Sequence, residues 1–518
     1  MRNLLCSSLA LALTACATES SPMPDPIDDP PVMETPAIQL SLGADRARVI
    51  RGRSVQVAVS VKRTGDIAGA ITVTAEDLPA GVTAAPLTLA EGQTSGTLEL
   101  AGDASMTLAS FATATIRATA GDLESALPLD LHLTDPSGSL DVTFGIGGGS
   151  VRGYTSAHQE VATLLAMQTD GKIVVGGRDD TANGFFVARY HADGALDTSF
   201  GSGGVVAISD GNVSIYAVGL AITPDGTILF GVKSASNAII YALDTNGQLA
   251  TSYGQGGVAM LSAATLGITF PLYAMTAAAD GTLVLGSTNA SGVNVVRLTP
   301  DGQLDSSFDE DGRAVLAFRS TNNTVTSLAI RPDGRIVVAG ADNQGGYNSF
   351  AIGQLTTSGQ LDPTFSADGV MVLDAGSSTG FEDLTLLPDG RIALRTYRQG
   401  SLPGIAFVKP DGQLDTSFSG DGFAQLRLSS AGQVVVVDDG IIVVGSPPGT
   451  DAAALEKLGF DGTPAATFGT DGLSLADMTA GDEYGHGLVR DGQGRVVMSS
   501  YSIAGAELGQ IALARFWE

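Results

Sequence analysis

Residues 332–365, PDGRIVVAGADNQGGYNSFAIGQLTTSGQLDPTF, contain three segments that recur through most of this chain. The first is an Asp-Gly turn followed by an apolar run, and the second is the FAIGQL segment at 350–355. The third, GQLDPTF at 359–365, is called the aromatic element below. Its copies place an aromatic residue at seven positions, spaced 50 to 57 residues apart: Phe144, Phe200, Tyr253, Phe308, Phe365, Phe418 and Phe468.

The repeat length predicts the fold of this region. A period of about 54 residues suits four short strands and their turns, which is the unit of a β-propeller blade. In one unit we predict strand a at 204–208, strand b at 217–223, strand c at 227–232 and strand d at 238–243. The continuous apolar run of strand c indicates burial on both faces. The chain is therefore expected to be all-β, with a seven-bladed β-propeller of four-stranded blades at 136–518.

The segments that begin and end the repeat array predict how the ring of blades closes. The array opens with the aromatic element at 140–144, and the last strand of type d lies at 511–516. Every earlier strand d is followed by an aromatic element. Only the first copy is left to follow the last strand d, so 140–144 is expected to pack beside 511–516.

The repeated segments resemble the delta-60 repeat, a bacterial repeat predicted to form β-propellers. The resemblance rests on the PDGRIVVAG-like strands, the ARY-like strands and the GxLDxSFGxGG segments. It implies an exported or surface repeat protein without assigned chemistry. Copies three, six and seven depart from the pattern at Ala250, at 434–445 and at Pro464 and Ala465, so irregular blades are expected there.

Residues 38–135 show a different pattern, in which apolar and polar residues alternate. Val55, Val57, Val59 and Val61 are one example, and turn sequences separate such segments. About seven short strands in such a length suit an antiparallel sandwich. The region resembles bacterial immunoglobulin-like modules. Its basic residues could bind an anionic glycan or could form a solvated strand face balanced by acids: Arg46, Arg48, Arg51, Arg53, Lys62, Arg63 and Arg117.

The N-terminus has the features of an export signal. Arg2 precedes an apolar run that is too short to span a bilayer. The sequence LTAC at 13–16 resembles a bacterial lipobox, which implies a signal peptide at 1–15 and a lipid on Cys16. An ordinary signal peptide that contains Cys is the alternative. The Ala at 17 implies, by the same resemblance, the outer membrane of the bacterial cell envelope. Residues 16–37 are rich in Pro and acids, which predicts an extended linker.

Composition excludes several classes of partner. The 518 residues carry 27 Lys and Arg against 55 Asp and Glu, a net charge of −28. Phosphate contacts need clustered Lys and Arg, so no nucleic-acid partner is expected. With 44% hydrophobic residues the chain can bury a large core. The two cysteines, Cys6 and Cys16, leave no pair for a disulfide in the mature chain, because one departs with the signal and the other takes the lipid.

No motif indicates catalysis, a metal or a cofactor. The acidic run at 309–312 could be a calcium loop, but Ser307 and Phe318 occupy ligand positions of the twelve-residue pattern. The Asp-Gly pairs are therefore interpreted as turns, and the recurring Asp141, Asp197, Asp305, Asp362 and Asp415 as turn or cap residues. The GSSTG string at 376–380 matches a nucleophile elbow but lies between strands. The four histidines, at 132, 158, 191 and 486, form no close pair.

The up-and-down strand order predicts two different faces. The b–c and d–a connections share one face and are repetitive, whereas the a–b and c–d loops share the other and vary, as ligand-binding loops do. Five tyrosines in or beside the variable loops are the candidate ligand-binding residues: Tyr154, Tyr347, Tyr397, Tyr484 and Tyr501. We expect a monomeric binding or scaffold protein, tethered to a membrane by its lipid, with a protein or glycan ligand. The alternative is a propeller enzyme, for example a glycan hydrolase or lyase, using the central channel or the variable face.

Overall fold

The computed structural model describes residues 35–145, 151–152, 160–179, 184–209, 216–234, 236–266, 270–344, 347–373, 379–398, 401–450, 452–476, 482–503 and 510–518. The chain divides into two compact units, Met1–Leu133 and Thr134–Glu518. Within the described ranges, no helix is both long and apolar enough to cross a bilayer.

The first unit consists of two antiparallel sheets. Its strands are β1 (Ala37–Leu42), β2 (Arg46–Ile50), β3 (Ser54–Thr64), β4 (Ile71–Glu76), β5 (Val82–Ala84), β6 (Leu87–Leu89), β7 (Ser95–Gly102), β8 (Ala109–Ala120) and β9 (Leu123–Thr134). One sheet has the order β1-β3-β7-β5 and the other β2-β9-β8-β4-β6. The nine strands exceed the predicted seven. Two of them, β5 and β6, have three residues each, too few for an alternating pattern to be recognised.

A single apolar core lies in the first unit. Val57, Val59 and Val61 of β3 are buried, and the residues between them are exposed. Leu129 and Ile116, from the other sheet, belong to the same cluster. The alternation in the sequence therefore marks the core-facing side of β3, as predicted.

The second unit contains the other strands. They are β10 (Val151–Arg152), β11 (Glu160–Met167), β12 (Ile173–Asp179), β13 (Gly184–Tyr190), β14 (Val205–Ile208), β15 (Tyr216–Ile222), β16 (Ile228–Lys233), β17 (Asn237–Leu243), β18 (Val258–Ser262), β19 (Phe270–Ala277), β20 (Leu283–Asn289), β21 (Gly292–Leu298), β22 (Arg313–Leu316), β23 (Asn323–Ile330), β24 (Ile336–Gln344), β25 (Tyr347–Leu355), β26 (Val370–Leu373), β27 (Thr379–Leu386), β28 (Ile392–Arg398), β29 (Gly404–Val408), β30 (Phe423–Gln425), β31 (Ser430–Val437), β32 (Gly440–Ser446), β33 (Ala453–Gly459), β34 (Leu473–Ala476), β35 (Asp482–Arg490), β36 (Arg495–Ile503) and β37 (Gln510–Trp517). One helical turn, α1 (Ala263–Leu266), follows β18.

These strands form four-stranded antiparallel sheets, the architecture of a β-propeller. Six sheets take their strands in chain order, from β11-β12-β13-β14 to β31-β32-β33-β34, and the seventh has the order β10-β37-β36-β35. Second strands such as β12 and β32 are buried along almost their whole length, as predicted for strand c.

The predicted grouping of strands a to d is wrong in one respect. Strand a at 205–208 is β14, which pairs with β13 and not with β15. It therefore belongs to the sheet of the preceding strand d. The reason lies in the aromatic element, whose Leu196 pairs with Tyr190 at the end of β13. This bridge folds the chain back and brings β14 to the free edge of β13.

The copies that depart from the repeat nevertheless form complete sheets. The stretch at 434–445 supplies most of β31 and β32, which pair in the same antiparallel manner as the other strands. Strands β17 and β18, which flank Ala250, also pair regularly. These sheets have no irregularity in the described backbone beyond the interruption that the other first strands also show, because ladder hydrogen bonds do not depend on the side chains that changed.

One sheet combines strands from distant parts of the chain. Val151 and Arg152 of β10 pair with Leu513 and Ala512 of β37. Leu140 forms a bridge with Phe516, which is the pairing that the register of the repeats predicts. The amide of Asp141 also donates a hydrogen bond of 2.7 Å to the carbonyl of Arg515.

Successive aromatic elements contact each other. The amide that follows each aromatic residue donates a hydrogen bond of 2.7–3.0 Å to the carbonyl of the residue directly before the next element: Gly145 to Asp193, Gly201 to Asn246, Gly254 to Asp301, Asp309 to Ser358, Ser366 to Asp411, Ser419 to Asp461 and Gly469 to Ser137. The last bond returns to the first element. A Cβ on Gly194, at φ +86°, would lie 2.9 Å from the Phe144 ring, so this close approach requires glycine.

A buried ion pair stabilises the aromatic element in several sheets. Arg189 Nε donates to Asp197 Oδ2 over 2.8 Å, and its guanidinium lies 4.5 Å from the centre of the Phe200 ring. Its Nη1 donates to the carbonyl of Thr245, 2.6 Å away in the next sheet. We call this arrangement the Arg–Asp–aromatic cluster. Two further copies are Arg297 with Asp305 and Phe308, and Arg515 with Asp141 and Phe144.

Candidate functional site

The first strand of each sheet carries an irregularity at the same level. Pairing with the second strand is interrupted between Ala162 and Leu164, Ala217 and Gly219, Phe270 and Ala274, Val325 and Ser327, Phe381 and Asp383, Ala431 and Val434, and Gly485 and Gly487. Such bulges redirect side chains and are frequent beside functional sites. The residues at the interruptions differ from sheet to sheet, whereas the aromatic elements repeat.

The first strands also lie next to one another. In the order β11, β15, β19, β23, β27, β31 and β35, each contacts the next, and β35 contacts β11. The bulges of all seven sheets are therefore on neighbouring strands. A set of varied side chains on a repeated scaffold is the arrangement typical of a binding site.

Two tyrosines and a histidine stack at the last of these bulges. Tyr484 and Tyr501 are directly opposite each other in β35 and β36, with ring centres 5.2 Å apart. His486, two residues beyond Tyr484, stacks on the same Tyr501 ring at 5.2 Å. We call these three residues the Tyr–His stack. All three are half-buried.

Burial determines the protonation of the Tyr–His stack. It lowers the pKa of His486, and the positive charge of Arg395 lowers it further. It raises the pKa of Tyr501, with a contribution from Tyr484. At neutral pH the imidazole is therefore uncharged, with one donor and one acceptor nitrogen, and the phenol keeps its proton.

A carboxyl group and a guanidinium lie on β27 and β28, in the sheet that is separated from the Tyr–His stack by the sheet of β31. Asp383 of β27 is directly opposite Arg395 of β28. Burial raises the pKa of Asp383, although Arg395 and the hydrogen bonds from Leu384 and Ser327 oppose that shift. The Ser327 hydroxyl donates to Asp383 Oδ1 over 3.2 Å. Groups with shifted pKa values that share a charged neighbour are typical of functional sites.

The strands that carry these groups are joined by side-chain hydrogen bonds. Thr385 Oγ1 of β27 donates to the carbonyl of Val434 in β31, 3.0 Å away. Gln433 Oε1 of β31 accepts from the amide of Leu488 in β35 over 2.9 Å. These bonds hold β27, β31 and β35 in a fixed order across three sheets.

The structure brings two of the predicted tyrosines together and separates the others. Tyr484 and Tyr501 stack within strands rather than in loops. Tyr397, two residues beyond Arg395 on β28, is 43% exposed. Tyr347 begins β25, opposite Gln344. Tyr154 and Cys16 lie outside the described residues, as does most of the GSSTG string at 376–380.

Sequence reasoning missed His486, Asp383 and Arg395. His486 lies inside β35, where its distance from Tyr501 depends on strand register. The flanking glycines, Gly485 and Gly487, were the one available signal, since glycine within a strand often marks a bulge.

The recurring aspartates are caps, as predicted. Asp305 Oδ1 accepts from the amide and hydroxyl of Ser307, and Asp141 Oδ1 does so from Thr143. The acidic run at 309–312 contributes to turns: Asp311 Oδ1 accepts from the amide of Arg313, and Asp309 accepts from Gln360. In the described part of the chain, no group of three His, Cys, Asp or Glu residues is placed to hold a metal ion.

Three segments of the chain match a known family. Residues 168–200, 278–308 and 331–365 are similar to the family described as "Domain of unknown function (DUF5122) beta-propeller". Each segment runs from a b–c turn to the end of an aromatic element. Together with the four-stranded sheets, this match settles the architecture. The repeats form a β-propeller.

Comparisons with individual proteins are distant. No curated protein matches the sequence. Among solved structures, prolyl oligopeptidase B from Galerina marginata, bound to a 35mer substrate, is 12% identical with a TM-score of 0.39, over 69% of this chain and 50% of that one. This chain thus spans about half the length of the oligopeptidase that it matches. A GH43 β-1,3-galactosidase is 10% identical with a TM-score of 0.25, over 77% and 82%. Structural similarities with such low identities and TM-scores support no conclusion about activity.

Proposed function

We propose that this protein is an exported, lipid-anchored binding protein whose β-propeller binds a glycan beside the Tyr–His stack. The observation that carries the proposal is the placement of Tyr484, His486 and Tyr501 at a bulge, with Arg395 close enough to shift the pKa of His486. Aromatic rings offer a large contact area at low entropic cost, and neutral hydroxyl and imidazole groups can hydrogen bond to sugar hydroxyls. The net charge of −28 favours an uncharged glycan over an anionic one.

The β-propeller in this proposal has seven blades of delta-60-like repeats. Support comes from the cycle of amide hydrogen bonds between aromatic elements, in which Gly469 donates to Ser137. Support also comes from the contact of β35 with β11. We further propose that the sandwich of β1–β9 is an immunoglobulin-like module that separates the β-propeller from the membrane.

Attachment to the outer membrane rests on Cys16 in the lipobox-like sequence LTAC. Substitution of Cys16 by Ala should release the protein from membranes or leave its signal peptide uncut. The measurement is fractionation after a carbonate wash, with metabolic labelling by a fatty acid. A Cys16→Ala protein that remains with membranes at the parent level would refute the anchor and leave the binding proposal untouched.

The binding proposal is tested on a glycan array followed by titration calorimetry with the best glycan. Tyr484→Ala and Tyr501→Ala should each weaken binding by about 1–3 kcal/mol, the range for losing one aromatic anchor. Asp333→Ala, in a turn on the opposite face, is the control and should bind as the parent does. Loss of binding in the control but not in the tyrosine variants would refute this face, and so would abolition by a chelator. If the protein binds other proteins and no glycan, the proposal of a glycan ligand is wrong.

A propeller enzyme is the second candidate, and Asp383 is the observation that favours it. A carboxyl with a raised pKa on a first strand could act as a general acid. If the protein cleaves the glycan that it binds, Asp383→Asn should abolish cleavage and preserve binding. Product analysis by mass spectrometry distinguishes the two candidates.

A further inference from the structure

One sheet of the β-propeller has neither the basic side chain nor the aspartate of the Arg–Asp–aromatic cluster. In the sheet β15–β18, Ala242 takes the place of Arg189 and Arg297, and Ala250 takes the place of Asp197 and Asp305. The equivalence is fixed by the bridges next to them: Leu243 pairs with Leu249 as Tyr190 pairs with Leu196. The aromatic residue of this copy is Tyr253, where the six other copies have Phe.

The other sheets keep a basic side chain at or near this position by various routes. Arg391 lies 5.1 Å from the Phe407 ring and bonds Asp415, and Lys457 lies 5.9 Å from the Phe468 ring. Arg331 donates to Gln354, which in turn donates to Asp362. The described residues of the sheet β15–β18 include no such side chain, because the three positions that could supply one hold Thr223, Thr227 and Ala242.

The missing side chains leave a cavity of about 270 Å³. Ala250 and Tyr253 line it, together with Asp225 from the b–c turn of the same sheet and Asp280 and Pro300 from the next sheet. Pro300 matches Thr245 and Thr357, the two residues whose carbonyls accept from Arg189 and Arg297 over 2.6 Å. The cavity therefore contains the carbonyl that would accept a hydrogen bond from the arginine of the cluster, but this sheet has no such arginine.

Tyr253, which lines this cavity, has a buried hydroxyl without a hydrogen-bond partner among the described residues. The residue is 4% exposed, and its hydroxyl makes no hydrogen bond to the part of the chain that the structure describes. Leaving a buried hydroxyl unsatisfied costs about 1–3 kcal/mol. A ligand that occupies the cavity can recover this free energy.

The charge of the cavity is negative. Hydrogen bonds from Thr223 and Thr282 hold the pKa of Asp225 and Asp280 below the usual range, so both carboxylates are ionised at neutral pH. These bonds engage the Oδ1 atom of each carboxylate. No Lys or Arg is among the lining residues.

We propose that this cavity binds the guanidinium group of a small cationic ligand, in the place of the arginine side chain that the sheet lacks. The planar cation stacks on the Tyr253 ring, as Arg189 and Arg297 do on Phe200 and Phe308 at 4.5 and 4.6 Å. Its N–H groups donate to the Pro300 carbonyl, to the carboxylates and to the Tyr253 hydroxyl. An alkylguanidinium without a carboxylate of its own is favoured, because Asp225 and Asp280 repel a second negative group.

The test uses ethylguanidinium as the probe and the mature full-length chain. Calorimetry should give saturable binding at one site with a Kd of about 1 mM or below, and ethylammonium, which is not planar, should bind at least about tenfold more weakly. The melting temperature should rise with probe concentration and reach a plateau, as expected for a ligand that binds only the native state. Absence of saturable binding, or equal binding of ethylammonium, would overturn the proposal.

Two variants locate the site. Ala242→Arg combined with Ala250→Asp restores the cluster, so it should raise the melting temperature and abolish probe binding. Asp280→Asn keeps the turn hydrogen bonds and removes a charge, and it should weaken binding by about tenfold. Asp333→Asn, in the equivalent type of turn elsewhere, is the control and should bind as the parent does. Unchanged binding in Asp280→Asn would overturn the proposal even if the double variant does not fold.

Discussion

At the scale of single residues, the ion pair between Arg189 and Asp197 is a buried pair of charges. Their side chains are 6% and 2% exposed. Removing one partner leaves the other charge buried and uncompensated, which costs about 3–5 kcal/mol. Asp197→Ala should therefore lower the free energy of unfolding by about that amount in a denaturant titration.

The matched control for that substitution is Asp193, in the same connection between strands. Asp193 Oδ1 accepts from the amide of Ala195 over 3.0 Å, but the contact is exposed. Asp193→Ala should cost about 1 kcal/mol or less. Equal losses for the two variants would mean that Asp197 acts only as a turn residue.

Acidification should affect stability through His486. Its pKa in the folded protein is lowered by burial and by Arg395, whereas in the unfolded chain it is about 6.5. As the pH falls below that value, the unfolded state takes up a proton and the folded state does not, so stability decreases. His486→Gln removes this pH-dependent contribution to the free energy of unfolding. Between neutral pH and the pKa range of the carboxylates, the melting temperature of the variant should fall less than that of the parent; parallel curves would contradict the assignment.

At the scale of elements, the contact between β31 and β35 depends on a glycine. A Cβ on Gly432 would lie 2.4 Å from the carbonyl oxygen of His486. Gly432→Ala must therefore separate the two strands, at a cost of about 1–3 kcal/mol. Near-ultraviolet circular dichroism should show a change in the tyrosine signal, because the Tyr–His stack lies on β35 and β36.

Gly492 provides the comparison, because a Cβ there meets nothing within 4 Å. Gly492→Ala should change stability by less than about 0.5 kcal/mol. If Gly432→Ala is equally harmless, the first strands are not in close contact at this level.

The strands could be predicted from the sequence because each has a local pattern, but their assignment to sheets could not. Strand a at 205–208 is nearer in sequence to the following strand b than to the preceding strand d, yet it pairs with strand d. The deciding contact is the bridge between Leu196 and Tyr190, which no local pattern shows. The same limit applies to the candidate site. Tyr484 and Tyr501 were recognised as residue types, whereas His486 joins them only through the register of β35 and β36.

At the scale of the whole molecule, β37 joins the two ends of the repeat array. Ile511, Leu513, Phe516 and Trp517 are all 2% exposed or less. Losing each large apolar side chain costs about 2–5 kcal/mol, and a domain has about 5–15 kcal/mol in total. Deletion of residues 510–518 should abolish the cooperative melting transition in calorimetry.

A deletion of equal length in the Pro-rich segment is the control. Removal of residues 23–31 should leave the melting temperature unchanged. A truncated chain lacking 510–518 that still melts like the parent would show that the array is stable without the sheet β10-β37-β36-β35.

The pairing of Val151 and Arg152 with β37 also has a consequence for the order of events during synthesis. A ribosome makes β10 long before β37, so this sheet cannot form until almost all of the repeat array exists. Until then β10 has no strand to pair with. Pairing two strands so far apart in sequence also carries an entropic cost, which adds to the barrier for forming this sheet. A nascent chain of this design keeps this sheet open until β37 has been made.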